Sequence, residues 1–68
     1  MTEIFIKDEF IKLGQALKLA GFVENGAEAK ELIVEGYVQV NNEVELRRGR
    51  KLYKGDIFTL DGESGIVR

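Results

Sequence analysis

Arg47, Arg48, Arg50, Lys51 and Lys54 all fall within residues 47–54, a stretch that contains no acid. Three of the five are arginines, whose rigid fork of donors matches a phosphate with two parallel hydrogen bonds. Residues 1–46 carry four basic and nine acidic side chains, and residues 55–68 carry three acids against Arg68. The formal net charge of −2 therefore conceals a local patch of +5. A polyanion within a Debye length of roughly 8–10 Å responds to that patch rather than to the molecular sum. Crowding five cations is unfavourable through self-repulsion, so the composition favours phosphate contact over a merely solvated loop. Gly49 inside the run either lets the backbone approach a strand closely or simply relieves a turn.

Other candidates are more diffuse. Lys18 and Lys30 lie on the polar flanks of helical segments, where they extend the basic patch or merely face solvent. Tyr53 and Tyr37 are able to stack on unpaired bases, although tyrosines on small sheets commonly bridge core and solvent. The set Glu28, Glu31, Glu35 reads as a solubilising helix flank, and no metal is assigned to it. With no Cys and no His, the chain has no residues for the usual tetrahedral zinc sites, thiol nucleophiles or imidazole acid–base chemistry. No catalytic residue and no cofactor are expected. The longest apolar stretches, such as Ile4-Phe5-Ile6, fall far short of the ~20 residues of a membrane span. A cytoplasmic, monomeric protein with no membrane association is expected, since a Cys-free chain suits a reducing compartment.

A single small α+β domain over residues 1–68 is expected to position these groups. Glu3-Ile4-Phe5-Ile6 is β-prone and suits an edge strand. Leu13, Ala16, Leu17 and Ala20 form one apolar stripe at helical spacing, and Gly21 stops the helix. Asn25 and Glu28 have capping-box spacing, opening a second helix with Ala29, Leu32 and Ile33 inward and Gly36 as its stop. Along that helix Glu28, Glu31 and Glu35 share one flank, and Ala27, Lys30 and Val34 the other. The period then drops to two. Val38 and Val40 oppose Tyr37 and Gln39, Asn41-Asn42 forms a tight turn, and Val44 and Leu46 alternate with Glu43 and Glu45. The basic run is aperiodic and reads as a loop, after which Leu52 and Tyr53 re-enter the body. Gly55-Asp56 turns into a strand over Ile57-Phe58-Thr59-Leu60, and Asp61-Gly62 turns back into Gly65-Ile66-Val67. Two short packed helices against a small antiparallel sheet result.

The ordered set Leu13-Gly14-Gln15-Ala16-Leu17-Lys18-Leu19-Ala20-Gly21-Phe22, Ala29-Lys30-Glu31-Leu32-Ile33, Gly36-Tyr37-Val38-Gln39-Val40-Asn41 and Lys54-Gly55-Asp56-Ile57 resembles the RNA-binding domain named after ribosomal protein S-four, the alpha-L motif. The likeness covers residues 13–60. The Asn42–Tyr53 stretch is most similar to the short stand-alone bacterial members. The resemblance implies binding of structured RNA, ribosomal or transfer, on or off the ribosome, through the two helices and the loop after the hairpin. Lys30 matches a position that is often basic in the family. Relatives commonly carry a hydroxyl and an Arg at the start of the second helix, where this chain has Gly26 and Ala27, and a turn Gly where it has Asn42. These departures shift the weight onto the arginine loop. If each of the five cations meets a phosphate, the slope of log affinity against log salt approaches about −4.5 on duplex-like RNA. Replacing Arg47, Arg48 and Arg50 by Ala is expected to flatten it and leave the fold intact. The rival readings are a protein-interaction module docking an acidic partner on the same loop, a carboxylate-based enzyme, and a DNA-binding protein.

Overall fold

Helix α1 spans Leu13–Leu19 in the computed structural model, which describes all 68 residues. Leu13, Ala16 and Leu17 are fully buried, so the apolar stripe faces the core as its spacing predicts. Gly21 adopts φ +80°, and this left-handed step lets the N–H groups of Gly21 and Phe22 return to the carbonyls of Lys18 (3.1 Å) and Leu17 (3.0 Å). Helix α2, Gly26–Val34, ends in the same way at Gly36. At its start, Asn25 Oδ1 accepts the Glu28 N–H at 2.8 Å. The Glu28 carboxylate accepts from the Glu24 N–H at 2.7 Å, one residue upstream of the capping box that the spacing suggests.

Five strands form the main sheet: β1 (Thr2–Ile4), β3 (Val38–Val40), β4 (Glu43–Val44), β6 (Ile57–Leu60) and β7 (Glu63–Val67), in the order β1-β7-β6-β3-β4. It is antiparallel except for β1, the expected edge strand, which lies parallel to β7. Both hairpin turns have two central residues at positive φ, Asn41-Asn42 at 50° and 70° and Asp61-Gly62 at 50° and 83°. That conformation matches the right-handed twist of the flanking strands. Val38, Val40, Phe58, Leu60 and Val67 on the inner face meet Leu13, Leu17, Ala29 and Ile33 of the helices. Phe58 is fully buried, packs 5.7 Å from the Phe22 ring, and contributes on the order of 2–3 kcal/mol. Its cross-strand partner is Gly65, which leaves room for the ring.

Two features depart from the sequence expectation. The hairpin reads Val44 and Leu46 as a face of their own, yet both are exposed and Glu45 is buried. A two-residue turn at Asn41-Asn42 pairs Val40 with Glu43 and Gln39 with Val44, so Val44 shares the solvent face of Gln39. The Glu45 N–H bonds the Val38 carbonyl at 3.0 Å, which brings Glu45 to the core side. The second feature is a separate two-stranded ribbon, β2 (Ile11–Lys12) against β5 (Lys51–Leu52). It joins the residue before α1 to the end of the basic run.

Candidate nucleic-acid interface

Glu45 organises the arginine loop. Its carboxylate accepts Arg47 Nε at 2.9 Å, Arg47 Nη2 at 3.1 Å, the Arg47 N–H at 3.1 Å and Arg50 Nη1 at 2.8 Å. The Arg47 side chain, then that of Arg50, lowers the carboxyl from its ordinary 4.5 to about 2, against the opposing effect of burial. The same bonds raise the Arg47 guanidinium further. Arg47 and Arg50 are therefore tied to a carboxylate, although the Arg47 side chain stays 73% exposed.

Gathered this way, the loop turns its carbonyls toward α1. The carbonyls of Arg50 and Arg48 accept the N–H groups of Leu13 (2.8 Å) and Gly14 (3.0 Å). Those donors belong to the first turn of a helix whose N-cap, Lys12, supplies no side-chain cap. The loop thus caps the helix, and the helix fixes the loop. The approach does not depend on glycine at position 14, because a Cβ there would lie 3.7 Å from the Cβ and carbonyl of Arg48, in ordinary contact.

Between loop and helices lies a cleft of about 300 Å³ lined by Lys12, Gly14, Gln15, Lys18, Gly26, Arg48 and Gly49. Three of these residues are cationic, none is acidic, and none is hydrophobic. Such a lining suits an anion carrying several oxygen acceptors. Lys12 also stands directly opposite Lys51 in the β2–β5 ribbon. Like charges at directly opposed positions destabilise a strand pair, so this ribbon concentrates positive potential at a cost in stability.

Of the residues singled out from the sequence, the structure brings Lys18 and Arg48 into the cleft. Arg47, Arg50 and Lys51 line a shallow depression on the loop together with Gly49. The Lys51 ammonium lies 4.7 Å from the Phe10 ring centroid. Tyr53 is partly exposed and tilted against Phe10, with centroids 6.1 Å apart. Lys54 is exposed in the turn before Gly55, and Lys30 is exposed on α2; neither lines the cleft. Tyr37 lines a different depression, with Asp61 and Glu63. Sequence reasoning missed Lys12, Gln15 and Glu45. Hairpin arithmetic from Asn41-Asn42 would have found Glu45. No local signal marks Lys12, whose role depends on a strand far away in the chain.

Two helices laid on one face of a small, mostly antiparallel sheet constitute the alpha-L architecture. The S4 domain family model matches residues 4–68, and the chain belongs to that family. The chain is similar to the probable ribosome maturation protein RlbA of Bacillus subtilis, with 49% identity over 59 residues, 87% of this chain and 83% of that protein. It is 40% identical to the putative RNA-binding protein YbcJ of Escherichia coli over 58 residues, 85% of this chain and 83% of that one. The solution structure of YbcJ, described as revealing an alpha-L motif involved in RNA-binding, superposes with a TM-score of 0.75 at 37% identity. That match covers 98% of this chain and 86% of the other.

Proposed function

We propose that this protein binds structured RNA, ribosomal or transfer, through its sugar–phosphate backbone, and acts without catalysis as a ribosome-associated factor. The observation that carries the reading is the acid-free cleft in which Lys12, Lys18 and Arg48 converge around the loop-capped start of α1. The names of the RlbA and YbcJ relatives and the alpha-L architecture support RNA as the polyanion. Phosphates positioned by these cations fix the register of the protein on its target but carry no base information. Recognition then rests on the shape of the folded strand and its 2′-hydroxyls.

The test is binding of ribosomal RNA fragments and of matched DNA duplexes over a range of salt. Arg48→Ala is expected to weaken RNA binding and flatten the log–log salt slope by about one unit. Arg48 has no carboxylate partner, so its loss leaves no buried charge behind. Unchanged affinity and slope in Arg48→Ala, or equal affinity for DNA, would overturn the reading.

A further inference from the structure

Gln15 and Lys18 line a second depression as well as the polar cleft, so the two share a wall. This second space is a groove of about 570 Å³ whose apolar surface comes from Ile6, Phe10, Ile11 and Leu19. Lys7 and Asp8 complete the lining with opposite charges, so Lys18 at the shared wall is the groove's one uncompensated cation. One compartment suits an anion, and its neighbour suits a flat uncharged group. A nucleotide has those two parts, joined by a sugar.

We infer that the groove receives one unpaired nucleobase of an RNA whose phosphate occupies the adjoining cleft, with Phe10 as its stacking surface. This rests on the RNA reading above. Phe10 is held in place before any ligand arrives by two side chains that do not line the groove: Tyr53 packs against it at 6.1 Å, tilted by 54°, and Lys51 sets its ammonium over the ring, 4.7 Å from the centroid. A ring so fixed loses little rotamer freedom when a base stacks on it. Leu19 is 59% exposed on α1, an apolar side chain otherwise left to solvent next to Lys18. A continuous duplex cannot fill the groove, because its bases are stacked on one another. The target class is therefore a helix interrupted by a bulge, flap or junction, where a base is free to leave the stack.

The experiment compares an RNA hairpin carrying a single bulged 2-aminopurine with the same hairpin fully paired. The full-length protein is expected to bind the bulged hairpin roughly tenfold more tightly and to change the 2-aminopurine fluorescence as the base restacks. Phe10→Leu keeps apolar volume but removes the ring, and Leu19→Ser removes apolar surface from the groove at an exposed position without adding a charge beside Lys18. Both variants are expected to lose the preference and the fluorescence change, while keeping their affinity for the paired hairpin and its salt slope. Equal affinity of the unaltered protein for the two hairpins, with the salt slope retained, would overturn the groove and leave the RNA reading standing. Binding of neither hairpin would overturn both. A preference that survives in both variants would place the base elsewhere and end the proposal. So would self-association abolished by Leu19→Ser in sedimentation, because the occupant would then be a second copy of the chain.

Discussion

Glu45 shows how one side chain decides what its neighbours can do. Held to about 2 by Arg47 and Arg50, its carboxyl is depressed below its value in the unfolded chain. The stabilisation is therefore fully present above about pH 4.5 and disappears as pH falls through about 2. Glu45→Gln is expected to lose roughly 1–2 kcal/mol at neutral pH, the figure discounted for solvent around the exposed Arg47. Urea unfolding of that variant should also show a weaker dependence on pH between about 4.5 and 2 than the unaltered chain. Identical pH profiles would mean that the carboxylate does not stabilise the loop. The chemistry of the basic run is thus divided: Arg47 and Arg50 are tied to Glu45, and Arg48 has no carboxylate partner.

At the scale of elements, the sheet depends on one glycine and the helices on their ends. Gly65 faces the Phe58 ring across β6 and β7, and a Cβ added there would lie 2.4 Å from the ring's Cζ, well inside van der Waals contact. Phe58 is fully buried and cannot swing aside without opening the core. Gly65→Ala is expected to destabilise by about 2–3 kcal/mol, read as a lower denaturation midpoint with an unchanged m-value. A neutral result would show that the β6–β7 hairpin repacks freely. The β2–β5 ribbon fixes the geometry of the basic loop. It ties Lys12 to Lys51 and sets the arginine loop against α1, so the cleft is built from segments far apart in sequence.

Across the whole molecule, the salt dependence of binding counts the cations that meet phosphate. Five independent cations in residues 47–54 would imply a slope near −4.5, and the pairing with Glu45 redistributes that count. Replacing Lys12, Lys18 and Arg48 together by Ala is expected to flatten the slope by about two to three units with little change in stability. The Arg47→Ala, Arg50→Ala pair behaves differently. It strands a buried carboxylate, so it lowers the denaturation midpoint before any effect on affinity is read. This revises the expectation that the arginines can be removed without touching the fold. Thermal melts beside salt titrations of the two variants distinguish the cases, and equal melting would contradict the division of labour.

Local grammar was enough to define both helices, their glycine stops, the Asn25 cap and the two hairpin turns, because each is set by residues within a few positions of one another. It also marked the basic run as the chain's one dense concentration of positive charge. The facing of Val44, Glu45 and Leu46 was misread because alternation alone does not say which residue faces the core. The turn register and the partner strand decide that. Only the tertiary structure decided which cations are free: capping of α1 by loop carbonyls and the meeting of Lys12 with Lys51 require long-range contacts, and the local pairing of Arg47 and Arg50 with Glu45 follows from the fold turning that carboxylate inward. Charge composition is a property of the chain, whereas an electrostatic site depends on where backbone and carboxylates leave those charges unsatisfied.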